Sequence, residues 1–88
     1  MALRVRLLAS AARDLARLDK PDGQRVVRRI YWLASNHDTI RPEALSGSLS
    51  GLYKLRAGDF RVIYEILHAE GILIVHAIGH RREVYRKR

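Results

Sequence analysis

Between Leu52 and His80 the chain reads LYKLRAGDFRVIYEILHAEGILIVHAIGH. Apolar residues recur at every second position, and two turn signals, GD at 58–59 and AEG at 69–71, divide the stretch into three strands. A two-residue turn sets Ala57 opposite Phe60 and Arg56 opposite Arg61. A three-residue turn with Gly71 in the left-handed conformation sets His68 opposite Ile72, and so Arg61 opposite Gly79. Side chains alternate across a strand, so this register fixes two faces. One face carries Tyr53, Leu55, Phe60, Val62, Tyr64, Ile66, Ile72, Ile74, His76 and Ile78, and needs a helical cover. The other carries Lys54, Arg56, Arg61 and, if the strand continues, Arg81 at one end. Glu65 and an aliphatic strip of Ile63, Leu67, Leu73, Val75 and Ala77 fill the rest. Cations and aliphatics separate cleanly in this register, which supports it.

The residues upstream supply the cover. LRVRLL at 3–8 alternates apolar and basic residues, the pattern of a half-exposed strand. Ser10 is placed to cap a helix beginning just after it, with Ala12, Leu15, Ala16 and Leu18 as its apolar stripe. Pro21 suits the first turn of a second helix, where Val26, Val27, Ile30, Leu33 and Ala34 recur at helical spacing and Arg25, Arg28 and Arg29 face away. The two form a helical hairpin. Residues 35–51, rich in Ser, Gly, Asn and Asp, form a long loop. The predicted fold is α+β: an N-terminal strand and helical hairpin packed on an antiparallel C-terminal β-meander, one domain over 1–88.

Charge narrows the partners. The chain has 88 residues, 48% of them hydrophobic, with 17 Lys and Arg against 9 Asp and Glu, a net charge of +8. Residues 1–52 carry nine bases and five acids, and residues 53–88 carry eight and four, so the excess is spread along the chain. Such a balance favours a polyanionic partner. With no cysteine, thiol catalysis and cysteine-ligated zinc are excluded, and a cytoplasmic location suits the composition. No apolar run is long enough for a membrane span, and no membrane partner is expected. The four histidines do not fall at metal-ligand spacing, and neither metal nor cofactor is expected.

The chain closes on IGHRREVYRKR. Four cations, Lys54, Arg56, Arg61 and Arg81, converge on one patch, a placement suited to a phosphodiester. Arg61 and Arg81 suit bidentate contact with phosphate oxygens. Lys54 is the candidate base, and Tyr85 suits stacking on a nucleobase. His80 competes for the acid–base role only if the strand frays at Gly79, since strict alternation turns it toward the helices. His76 is expected as a satisfied core residue. Trp32 is expected to pack against the sheet rather than stack on RNA. The aliphatic strip on the open face calls for a partner helix or strand to cover it.

The segment PEALSG…LYKLRAGDFRVIY at 42–64, the C-terminal IGHRREVYRK at 78–87 and the order of elements together resemble the RelE-like toxins of the RelE/ParE superfamily. The resemblance spans nearly the whole chain. It implies a type II toxin neutralised by a cognate acidic, RelB-like antitoxin, with the complex binding operator DNA through the antitoxin. It also implies ribosome-dependent cleavage of mRNA in the A site by attack of the 2′-hydroxyl on the adjacent phosphate. By position, the family's catalytic residues fall on Lys54, Arg61, Arg81 and Tyr85; Arg56, His80 and Arg82, beside them in this sequence, are the expected RNA contacts. Leu52 stands where some members carry a second basic residue, and the segment between Arg81 and Tyr85 is shorter than in some. Two rival readings remain: a ParE-type gyrase inhibitor, and a toxin-like domain that binds RNA without cutting it.

Overall fold

The computed structural model describes residues 2–87, the side chains of 86 and 87 excepted. Its elements run β1 (Arg4–Leu7), α1 (Ala9–Ala16), α2 (Lys20–Asn36), β2 (Glu43–Ala44), β3 (Tyr53–Ala57), β4 (Phe60–Leu67) and β5 (Ile72–His80), with short 3₁₀ turns at Gly47–Leu49, His68–Glu70 and Val84–Lys87. The expected α+β architecture is present. The five strands form one sheet in the order β1-β5-β4-β3-β2, antiparallel except for the parallel pair β1–β5.

Both helices lie on one face. Ala11 of α1 and Val26, Ile30, Leu33 and Ala34 of α2 bury against Leu55, Ala57, Val62, Tyr64, Leu73, Val75 and Ile78. The apolar stripe of α1 differs from the expected one. Ala12 and Ala16 are not buried, and Ala11 and Asp14 turn inward instead. Nor does Ser10 cap its helix: Leu8 holds the N-cap position, and Ser10 Oγ donates to His76 O at 2.9 Å. The reason lies at the end of β1. That strand pairs with β5 only through Val75, leaving the rest of this edge of β5 without a strand partner. Ser10 and Asp14, one turn apart on α1, take over there; the Asp14 carboxylate accepts the Ile78 N–H at 2.9 Å. A buried backbone group left unpaired costs about 1–3 kcal/mol, so α1 acts as a polar seal as well as an apolar cover.

The β3–β4 hairpin has the predicted register, with Ala57 opposite Phe60 and Arg56 opposite Arg61. The β4–β5 connection does not. It is a four-residue loop, 68–71, with Leu67 opposite Ile72; Gly71 is left-handed, φ 67°, as expected. That shift moves Leu73 and Val75 onto the helix face, against the expected assignment. Farther along, Ile63 pairs with Ala77 but Tyr64 with Val75, so the register skips His76. This bulge cancels the first shift, and from Ala77 onward the predicted pairing holds, Arg61 facing Gly79.

The 35–51 loop is more ordered than its composition suggested. It contributes the edge strand β2, with Glu43 opposite Lys54 and Ala44 opposite Tyr53. Among the described residues no helix is long and apolar enough to cross a membrane.

Candidate nucleic-acid interface

The face of the sheet opposite the helices is closed in its middle and open at its hairpin end. Ile63 and Ala77 are buried there, but by the chain itself. Val84, from the 3₁₀ turn after β5, sits on them, and Leu45 and Leu52 close the sides. The expected aliphatic strip is therefore mostly dismantled: Leu73 and Val75 face the helices, Ile63 and Ala77 lie under Val84, and only Leu67 stays partly exposed on this face, with Ile74 beside it through the register shift.

The Val84 contact fixes the path of the chain beyond β5. Arg81 N donates to Asp59 O at 2.8 Å, tying the end of the strand to the β3–β4 turn, and Glu83 N donates to His80 O at 2.8 Å. Between these bonds and buried Val84, Arg81, Arg82 and Glu83 form an exposed turn. Tyr85 is presented beside it, partly exposed. Val84 is the sole aliphatic residue in RREVYRKR, and that isolation was the available signal of an anchor.

The cations gather at the hairpin end. Arg56 and Arg61 are cross-strand neighbours, and Lys54 lies two residues along β3. Like charges opposed in this way destabilise a sheet. Glu43, which no sequence pattern had marked, offsets this. Its carboxylate lies 3.7 Å from Lys54 Nζ and 3.9 Å from Arg56 Nε, so β2 brings one anion to two of the cations. Both pairs reach solvent, where such contacts contribute little to stability. Arg61 Nη1 donates to Gly58 O and Phe60 O, both at 2.9 Å, which holds the guanidinium at the turn and leaves Nε and Nη2 for an anion. Glu43 and Tyr53 also bear on Tyr64, whose hydroxyl ionises above the ordinary 10.0, chiefly because the ring is buried.

The histidines are placed differently. His80 ends β5 on the helix side, edge-on to Phe60 with ring centroids 5.9 Å apart, and its Nδ1 accepts a hydrogen bond from Arg82 N at 3.2 Å. The strand does not fray at Gly79. His76 is no core residue. As the bulged position it turns to the open face, where Nε2 lies 2.9 Å from Glu65 Oε1. Trp32 also departs from expectation, being 41% exposed with the Arg29 guanidinium 4.5 Å from its ring centroid. No cluster of three or more His, Asp or Glu suited to a metal ion occurs among the described residues.

Residues 5–85 match the family model of the ParE toxin of type II toxin–antitoxin systems. The Toxin RelE of Mycobacterium tuberculosis is 32% identical over 82 residues, which cover 93% of this chain and 84% of that one. Among solved structures, a RelBE toxin–antitoxin complex from Mycobacterium tuberculosis superposes with a TM-score of 0.83 at 24% identity, covering 94% of this chain and 95% of the other. An archaeal RelE–RelB complex from Pyrococcus horikoshii gives 0.73 at 22%, covering 96% and 100%. The superpositions establish a shared fold. With the family model matching all but the two ends, and a curated relative this similar across the same span, the chain belongs to the RelE/ParE toxins of type II toxin–antitoxin systems.

Proposed function

We propose that this toxin is a ribosome-dependent mRNA endonuclease, working as a single domain over 1–88 in the cytoplasm. The observation that carries the proposal is the crowding of Lys54, Arg56 and Arg61 at the hairpin end of the face opposite the helices, with Arg81 tied to the same turn. Lys54, in its neutral amine form and released from Glu43, takes the proton of the 2′-hydroxyl as its oxygen attacks the adjacent phosphorus. Arg61 and Arg81 hold the non-bridging oxygens as charge builds on them. The bond to the 5′-oxygen breaks, that oxygen takes a proton from water, and a 2′,3′-cyclic phosphate remains. Tyr85 stacks on a base beside the cut. Arg56 and Arg82 bind flanking phosphates, and His80 serves them indirectly by fixing the Arg82 turn. A cognate acidic antitoxin of the RelB type neutralises the cation patch and carries the complex to operator DNA; antitoxin complexes are known for the similar proteins of Mycobacterium tuberculosis and Pyrococcus horikoshii.

The test is primer extension on a message held by translating ribosomes. Cleavage should be abolished by Arg61→Ala and by Arg81→Ala, with melting temperatures close to that of the parent, since neither side chain is buried. Retained cleavage in both variants removes them from the mechanism. The family model's ParE name favours a second reading, inhibition of DNA gyrase. A supercoiling assay run beside the first separates the two, because a gyrase inhibitor has no need of the cation set.

A further inference from the structure

The α2 surface beside the cation patch carries features that the cleavage mechanism does not use. Arg25, Arg28, Arg29 and Trp32 lie on one stripe of the helix, spaced three and four residues apart. Trp32 is 41% exposed and Tyr31 59% exposed. One side of the indole is occupied by Arg29 at 4.5 Å. The same arginine reaches the sheet, where its Nε donates to Arg56 O at 3.0 Å. Arg25 lies over the β3–β4 turn: a Cβ built on Gly58 would stand 3.3 Å from its Cδ and Nη1. Arg25 also pairs with Asp22 at 3.3 Å, the stripe's nearby carboxylate. The basic surface of α2 therefore continues round the hairpin tip into the patch of Arg56, Arg61 and Arg81.

An exposed tryptophan among arginines, on a chain of net charge +8, matches one ligand chemistry well. A single-stranded nucleic acid offers phosphates to the arginines and an unpaired base to the indole, and the stacked guanidinium adds to that attraction. An acidic peptide would satisfy the arginines and leave the indole in water. We propose that this stripe is a second contact for single-stranded RNA, in which a base stacks on Trp32 while Arg25, Arg28 and Arg29 hold neighbouring phosphates. The strand passes round the β3–β4 turn, so that the segment on α2 positions the segment to be cut. This inference rests on the endonuclease reading and deepens it.

Trp32 is the chain's sole tryptophan, so its fluorescence reports the site directly. The parent protein is titrated with 2′-O-methyl oligoadenylate, which lacks the attacking hydroxyl, and with an abasic oligonucleotide of equal phosphate number. Oligoadenylate should quench Trp32 and the abasic strand should not. Arg25→Ala and Arg29→Ala should each lower the slope of log affinity against log salt by about one. Trp32→Ala, assayed by anisotropy of a labelled oligoadenylate, should weaken binding about tenfold while circular dichroism stays unchanged. Equal quenching by both strands, no quenching by either, or quenching by polyglutamate alone overturns the stacking site. Cleavage of ribosome-bound message without base-dependent quenching removes this site and leaves the enzyme. Quenching without cleavage supports the site and removes the endonuclease.

Discussion

Val84 and Tyr85 show how neighbouring residues divide structure from chemistry. Val84 is wholly buried against Ile63 and Ala77, and Tyr85 beside it is partly exposed. Val84→Ala should cost about 1–2 kcal/mol in a denaturation experiment. It should also cut mRNA cleavage by more than that loss explains, because the Arg81–Tyr85 segment loses its anchor. Tyr85→Phe should keep most of the activity and Tyr85→Ala should not, if the ring acts by stacking; equal losses in both would assign the role to the hydroxyl. Tyr64 gives a test by pH. Burial holds its ionisation above the ordinary 10.0, so in alkali the unfolded chain sheds this proton first. Stability is therefore intact below that pH and falls as pH rises from there toward the folded-state value. Melts between about pH 9 and 11 should show that decline, and Tyr64→Phe should reduce it.

The two hairpin glycines make a controlled pair among the elements. Gly58 and Gly71 share a positive φ, 63° and 67°, so alanine at either bears a strain of about 1–2 kcal/mol. Space separates them: nothing lies within 4 Å of a Cβ on Gly71, whereas Arg25 lies 3.3 Å from one on Gly58. Gly58→Ala should therefore be the more damaging in urea denaturation, and its excess should shrink in an Arg25→Ala background. Those turns also mark where the sequence was legible. A Gly-Asp pair between alternating strands has one common geometry, so the β3–β4 register and the Arg56–Arg61 juxtaposition could be read directly. The AEG signal pairs His68 with Ile72, whereas Leu67 takes that place and the loop is one residue longer, a difference that alternation alone cannot show. Nor does it announce a bulge. His76 looks like any inward residue until the skipped pairing beside Tyr64 turns it toward Glu65. Lys54, Arg56 and Arg61 were legible because they sit on regular strands. Glu43 was not, since a two-residue edge strand has no period. The exposure of Trp32 was hidden by a helix whose other aromatic and arginines fit either side.

At the scale of the whole molecule, the cation patch holds no histidine: His80 lies on the helix side and His76 is held by Glu65. A site that lacks a near-neutral acid–base group forgoes about 10² to 10⁴ in rate and must rely on in-line placement of the 2′-hydroxyl. A small open face cannot impose that placement on flexible RNA, and a ribosome that already splays the message can. Cleavage of free RNA should be slow, cleavage on translating ribosomes fast, and ribosome binding should weaken steeply with salt. Comparable rates on naked and ribosome-bound message at one salt concentration would contradict this. The strand order carries a last consequence. β5 comes after every other strand in the chain yet lies inside the sheet, between β1 and β4, and Arg4 must wait for Ile72 to find its partner. Before β5 is laid in, β1 has no strand to pair with and the β3–β4 hairpin shows a bare edge. Pairing across such a sequence separation carries a loop-closure cost and is slow to form. A chain interrupted before Ile72 should therefore fail to fold rather than fold weakly, and rapid limited proteolysis of a 1–71 fragment beside the resistant parent would show it.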